Sequence, residues 1–357
     1  MPHSSEVSGG VAQRRSRVLA AVRTLLIALL FCVGFVIAFE ASAQLLLPDL
    51  VASARARAFG DRRIAFISPE AIENKAGYYA FRPHSSVREV AYYPDARGGF
   101  TLEYDCTFAS DRMGFLSNAI TYEQSEVLLL GDSYAQGSGG CGWLPKLADD
   151  VRHRIYSAAV LGTGVKHWRN ILADFERIKK PAKILVIFIT HDFYRPDWLF
   201  PEQQLACLAH RGDCTGQFWY PISDAMAAIA AERYALRSPQ LGKSGMSKLL
   251  RYHLTASFTL FERLKRRTES DSQALQDSLA IITELAARYP LKLIWVNEKS
   301  EAEAPEPRTQ RLWDRLAALD VTRCTIPTDG FLGRDGHPNS RGYGVLKACV
   351  ERVVRAW

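Results

Sequence analysis

From residue 127 onward the chain alternates short apolar runs with stretches of helical period. The runs are VLLL at 127–130, RIYSAAV at 154–160, KILVIFIT at 183–190 and LKLIWV at 291–296. Short, almost unbroken apolar runs are the mark of strands buried on both faces, and the intervening helical stretches supply the cover. The pattern predicts an α/β fold with a central parallel sheet between two helical layers. Residues 272–288 keep a helical period, and a strand-like segment ending at Cys324 precedes a last helix that carries Cys349. Two regions break the rhythm. Residues 48–125 are aromatic and rich in turns, as in Tyr92-Tyr93-Pro94-Asp95 and Arg97-Gly98-Gly99-Phe100, and read as a lead-in with short strands. Residues of about 195–270 hold amphipathic stretches such as SKLLRYHLTASFTLFERL and read as a helical insertion over one edge of the sheet.

The N-terminus has a different texture. Thr24 to Phe39 is uncharged and apolar, follows Arg14, Arg15, Arg17 and Arg23, and is closed by Glu40. If Arg23 snorkels, the apolar segment extends back to Val18, close to the roughly 20 residues a spanning helix needs. A signal anchor over 18–47 is the favoured reading. A signal peptide cleaved at Ala41-Ser42-Ala43 is the alternative. Arginines on the N-terminal side keep residues 1–17 as a cytoplasmic basic tail and export the rest. The expected location is a bacterial inner membrane, crossed once, with the folded part in the periplasm; cleavage would leave it soluble there. The expected order is therefore tail 1–17, anchor 18–47, lead-in 48–125 and main domain 126–357.

With 48% hydrophobic and 23% charged residues the chain is globular, and a single bilayer-length run excludes a polytopic membrane protein. Of the formal charge of +7, the first 23 residues carry +3, where four arginines face only Glu6, and the ordinary remainder of +4 is spread over the rest of the chain. No basic run or nucleic-acid motif follows, so no nucleic-acid partner is expected. Of seven cysteines, Cys32 lies in the apolar run, which leaves an even number suited to an oxidising compartment. Cys207 and Cys214 flank a short loop, Cys324 and Cys349 form a second plausible pair, and Cys106 with Cys141 remain. Cys207, His210 and Cys214 offer only three metal ligands with no clear fourth, so a disulfide is preferred and no metal or cofactor is expected.

Strand 127–130 runs straight into Gly131-Asp132-Ser133. Ligands of open parallel sheets bind outside the carboxyl ends of the strands, where this triplet falls. Near the other end of the chain stands Asp335-Gly336-His337-Pro338-Asn339. An imidazole beside a carboxylate supplies what an activated serine requires: a base for its proton and an anion to orient the ring. Ser133, His337 and Asp335 are the candidate catalytic residues. The triplet lacks the final glycine of the Gly-x-Ser-x-Gly elbow, and no phosphate loop, dinucleotide fingerprint or HExxH helix is present. His153, His167, His210 and His253 read as surface or packing residues, and Trp168, Trp198 and Trp219 as packing ahead of a sugar site. Gly137, Gly139 and Gly140 read as room for the turn.

Over most of residues 111–357 these motifs resemble the SGNH or GDSL-type hydrolases, in which a Gly-Asp-Ser turn opens the domain and an Asp/His segment closes it. Asp111-Arg112-Met113-Gly114-Phe115 before VLLLGDSYAQGSG is similar to the approach in membrane-anchored members. The resemblance implies a three-layer flavodoxin-like fold and an oxyanion hole built from the amides of Ser133 and Gly162 and a third donor. In that third position the family's Gly-x-Asn-Asp has asparagine, whereas IFITHDFYRP puts His191 there, followed by Asp192. The family's acid commonly stands three residues before the histidine, at Arg334, whereas here it is Asp335, two before. Exported polysaccharide O-acetyltransferases that resemble the family share this short spacing. The implied function is an exported serine esterase or O-acyltransferase acting on acyl, chiefly acetyl, esters of cell-envelope carbohydrate. Its partners are then an acyl-ester or carbohydrate substrate and the membrane. A silent fold that only binds or scaffolds the envelope is the alternative that His191 raises. Esterase and transferase differ in the acceptor pocket, which is expected from the 195–270 insertion.

Overall fold

In the computed structural model, the described residues are 7–47, 64–67, 71–94, 100–214, 219, 221, 254, 256–257, 273–303, 305–333 and 335–357. They fall into two compact units, one from 1–61 with 239–268 and the other from 62–238 with 269–357. The stretch of about 195–270 is therefore divided between the units.

The first unit is built on helix α1, Val7–Leu46. Its part Ala20–Leu46 is 27 residues long and contains an 18-residue window with a mean hydropathy of 2.5, enough by length and composition to cross a membrane. Leu25, Leu30, Phe31 and Phe35 are exposed along it, which in water would leave a large apolar surface uncovered. Glu40 does not end the helix. Its carboxylate is buried and accepts hydrogen bonds from the backbone N–H groups of Ala256 and Ser257, each at 3.0 Å, and from Ser257 Oγ at 3.1 Å. Three donors on one carboxylate offset much of the cost of burying its charge. The amphipathic stretch around it lies otherwise outside the described residues.

The second unit is an α/β fold. Strands β1 (Ile64–Phe66), β4 (Ser86–Pro94) and β5 (Phe100–Ala109) make an antiparallel sheet, and β2 (Ile72–Asn74) pairs with β3 (Tyr79–Phe81). The lead-in thus carries a long hairpin of nine- and ten-residue strands where short strands were expected. Its second arm, β5, is tied to the loop around Cys141 by the disulfide Cys106–Cys141.

The main sheet holds β6 (Val127–Gly131), β7 (Ile155–Ser157), β8 (Lys183–Phe188), β9 (Leu291–Glu298) and β10 (Val321–Ile326). All pairs are parallel, in the order β10-β9-β8-β6-β7. Counted from β6 this is 2-1-3-4-5 read from the other edge, the flavodoxin-like order. Alternate residues separate into two cores, as the strand period of two requires. Leu128, Leu130, Ile184, Val186 and Trp295 face Trp168, Phe175, Leu285 and Leu312, while Leu129, Ile187, Ile294 and Ile326 face Tyr343, Leu346 and Val350. The helices supplying these faces are Val165–Glu176, Gln273–Arg288 and Pro307–Leu316 on one side and Ser340–Arg355 on the other. Disulfides Cys207–Cys214 and Cys324–Cys349 also form, and Cys32 is free.

Candidate active site

The strand order reverses at β6, with β7 on one flank and β8 on the other, so a crevice opens at their carboxyl ends. Gly131, Asp132 and Ser133 make the turn there. A Cβ on Gly131 would stand 2.4 Å from Ala135 Cβ and 2.5 Å from the Ile187 carbonyl oxygen, so only glycine fits between the turn and β8. Asp132 caps the short helix α2, Ser133–Gln136, by accepting from the Tyr134 N–H at 2.9 Å, and Gly137 ends it with φ of 97°. The serine hydroxyl is not openly exposed: only 8% of the residue is accessible, on the wall of a cavity.

His337 Nε2 lies 2.8 Å from Ser133 Oγ, and its Nδ1 lies 2.8 Å from Asp335 Oδ2. The Asp335 side chain is fully buried. Gly336 between them has φ of +75°, a left-handed turn that brings the carboxylate back onto the ring across a spacing of only two residues. The glycines after Ser133 let this loop approach: a Cβ on Gly139 would come within 2.9 Å of His337 Cβ, and one on Gly140 within 2.2 Å of the Tyr343 ring. Tyr134 donates its hydroxyl hydrogen to the Gly336 carbonyl at 2.6 Å, fastening the Ser133 turn to the loop of Asp335 and His337. Burial raises the Tyr134 phenol above its ordinary value, with Asp132 adding to the effect, so it remains a donor.

Gly162 follows β7 in a loop with φ of +72°. Tyr79 donates to the Leu161 carbonyl at 2.6 Å, and the Leu161 N–H donates to Gln136 Oε1 at 2.7 Å. In a trans peptide the N–H points opposite to the carbonyl, so fixing the Leu161 oxygen fixes the direction of the Gly162 N–H. Among the described residues, the N–H groups of Ser133 and Gly162 have no protein acceptor. His191, in the turn Thr190–Tyr194 after β8, lines the same cavity as Ser133, Gly162 and His337. Its residue is exposed by area, yet neighbouring atoms crowd the ring. Desolvation, then Arg195 and Arg308, lower its pKa below the ordinary histidine range, leaving the imidazole neutral at pH 7.

Behind Ser133 lies a cluster that sequence reasoning missed. Arg195 Nη2 stands 3.3 Å from Asp132 Oδ2 and 3.2 Å from Asp192 Oδ1, and Nη1 donates to the Thr163 carbonyl at 2.9 Å. One guanidinium thereby holds the Gly131-Asp132-Ser133 turn, the Gly162 loop and the His191 turn at once. Both carboxyl groups are fully buried. Burial and the neighbouring Asp132 raise the Asp192 carboxyl well above the carboxylate range, against the pull of Arg195. For Arg195 burial opposes the charge, and Asp192 and Asp132 more than restore it. The signal in the sequence is Asp132 and Asp192 at equivalent strand ends, but the arginine that joins them has no motif of its own.

The cavity at Ser133 measures about 790 Å³ and is walled on one side by Trp198, Phe200 and Trp219. These rings pack on each other, Trp198 and Trp219 at 6.0 Å and Phe200 and Trp219 at 4.8 Å between centroids. Trp198 and Trp219 were expected as packing; they pack and also line the cavity. Trp168 is wholly buried. His167 is a buried structural residue, accepting from the Gly164 N–H at 3.2 Å through Nδ1 and bonding the Trp198 carbonyl at 2.7 Å through Nε2. Asp111 fastens its own turn through the N–H groups of Met113 and Phe115, and takes the Tyr156 hydroxyl at 2.6 Å.

No family model and no curated protein matches the chain. Solved structures similar to it are GDSL-type lipases, acylhydrolases and acetylxylan esterases. TesA is 15% identical with a TM-score of 0.34, over 64% of this chain and 98% of its own. A lipase/acylhydrolase from Enterococcus faecalis is 14% identical with a TM-score of 0.32, over 65% and 96%. A catalytic mutant of Axe2, an acetylxylan esterase from Geobacillus stearothermophilus, is 12% identical with a TM-score of 0.28, over 64% and 94%.

Proposed function

We propose that this chain is an SGNH-type serine ester hydrolase or O-acyltransferase, exported and tethered by α1, that acts on acyl esters of cell-envelope carbohydrate. The observation that carries the reading is the line of two 2.8 Å contacts from Asp335 through His337 to Ser133 at the switch point of the sheet.

In this reading Ser133 Oγ attacks the ester carbonyl carbon while its proton passes to His337 Nε2. Asp335 keeps the ring in the tautomer that leaves Nε2 free to accept, and stabilises it once charged. The negative charge that develops on the carbonyl oxygen meets the free N–H groups of Ser133 and Gly162, with His191 as third donor where the family has asparagine. The intermediate collapses, the alkoxide leaves with the proton from Nε2, and an acyl-serine remains. Water or a sugar hydroxyl then gives its proton to Nε2 and attacks the acyl carbon, and the bond from that carbon to Ser133 Oγ breaks as Nε2 returns the proton to Oγ. Water yields an esterase and a sugar hydroxyl an O-acyltransferase. The aromatic wall of Trp198 and Trp219 suits either the apolar face of a sugar ring or the acyl group.

Export is supported by the apolar helix behind an arginine-rich start and by three disulfides, which persist in oxidising compartments. The test is labelling by a fluorophosphonate probe together with acetate release from acetylated carbohydrate. Labelling of the wild-type chain but not of Ser133→Ala is expected. A folded wild-type chain that takes no label would instead favour a silent binding protein.

A further inference from the structure

Beyond Tyr134 lies a second cavity, of about 570 Å³, that shares Tyr134, Ile189, His191 and Gly336 with the catalytic one. The two are lobes of one cleft divided by these residues, and their linings differ in kind. The catalytic lobe is aromatic. The second is formed at the end of β9 and the loop after β10 by Thr190, Asn297, Glu298, Glu301, Thr328 and Phe331. Among the described residues that line it there is no lysine or arginine.

Asn297 is only 5% exposed, and its Oδ1 accepts from Thr325 Oγ1 at 3.1 Å. Its Nδ2 has no partner among the described residues, yet it is not sealed from solvent, so its opening is the cavity it lines. Glu301 Oε1 accepts from Thr309 Oγ1 at 2.8 Å and from Thr190 Oγ1 at 3.2 Å, while no bond from the described residues engages its Oε2. The lobe therefore presents a buried amide donor beside two carboxylates with spare acceptor capacity. Neighbouring hydroxyl groups on a sugar ring both give and take hydrogen bonds and match that mixture. A carboxylate or phosphate brought to the same place would face two like charges, with no lysine or arginine among the described lining residues to offset them.

We propose that this lobe is a saccharide subsite that takes a neutral or amino-bearing sugar unit adjoining the esterified one and rejects acidic sugars. The proposal deepens the esterase reading and rests on it for the bond that is cut, but binding alone can test it. Calorimetry at low ionic strength with the full-length Ser133→Ala chain would compare xylo-oligosaccharide, glucosamine oligosaccharide and oligogalacturonate. The first two are expected to bind, with oligogalacturonate at least tenfold weaker. In a chain that also carries Glu298→Gln and Glu301→Gln, that gap should close to under threefold. Asn297→Ala should weaken xylo-oligosaccharide binding about tenfold, and it supplies the check should the double glutamine variant fail to fold. Equal binding of oligogalacturonate and xylo-oligosaccharide, or no saccharide binding at all, would overturn the subsite. p-Nitrophenyl acetate hydrolysis by the unmutated chain reports the esterase reading separately: saccharide binding without hydrolysis would sink that reading and leave the subsite standing.

Discussion

His337 Nε2 stands 2.8 Å from Ser133 Oγ although 204 residues separate them in sequence. If the pair works as one unit with Asp335, Ser133→Ala and His337→Ala should each cut kcat at least about a thousandfold, and the double variant should be no worse than either single one. Asp335→Asn leaves a buried neutral amide on Nδ1 where solvent cannot replace the anion, and should cost about a thousandfold or more. Steady-state kinetics on an activated acetate ester, with circular dichroism as the folding check, measures all four. A double variant far slower than both singles would break the assignment.

Tyr79 makes a prediction at a distance. Its hydroxyl aims the Leu161–Gly162 peptide and touches no reacting atom in the proposed chemistry. Tyr79→Phe keeps the ring against Trp198 and Phe200 and removes only the bond to the Leu161 oxygen. A loosened Gly162 N–H should lower kcat about tenfold and leave KM nearly unchanged, because a transition-state donor is what is lost. A change in KM alone, or none in either constant, would make Tyr79 a packing residue.

What the chain reveals in one dimension follows from local physics. Continuous apolar runs mark strands covered on both faces, and a glycine-led turn at a strand end marks the crevice, so Ser133 and the sheet were visible. The long hairpin was not, because Glu89 sits buried in it and interrupts the apolar alternation. Its carboxylate is satisfied by Gln136 Nε2 at 2.5 Å, a partner 47 residues away. Tyr79, Gln136 and Arg195 escaped for the same reason. Each acts by joining loops that are distant in sequence, and no spacing rule encodes such a meeting. Glu40 escaped too, since a carboxylate at the end of an apolar run looks like a terminus until its three donors are seen.

The buried carboxyl of Asp192 predicts a pH dependence of stability. Its native pKa is raised, so the folded chain holds a proton that the unfolded chain has released between the ordinary carboxylate range and the raised value. The contribution is complete at acid pH below the unfolded value, near 4, and is lost as pH rises through the native one. Asp192→Asn mimics the protonated form permanently and should remove that decline. The thermal midpoint of the solubilised full-length variant should therefore change less than the wild type's between about pH 4 and pH 8. Parallel pH profiles for the two proteins would show that Asp192 is ionised in the fold.

His191 stands where the chain departs from the family it resembles, and its three possible roles move different quantities. As a neutral ring on the wall of the Ser133 cavity it offers one N–H, set by tautomer. If that N–H meets the oxyanion, His191→Ala should lower kcat about a hundredfold or more with little change in KM, a loss of about 2.7–4 kcal/mol of transition-state stabilisation. His191→Asn would put the family's donor back and should retain much of the rate. If the ring instead contacts the bound substrate, alanine should mainly raise KM. If it only packs, the thermal midpoint should fall while turnover per folded molecule stays constant. An alanine variant with wild-type kcat and KM would take His191 out of the mechanism and leave the hole to the amides of Ser133 and Gly162, held in place by Tyr79 and Arg195.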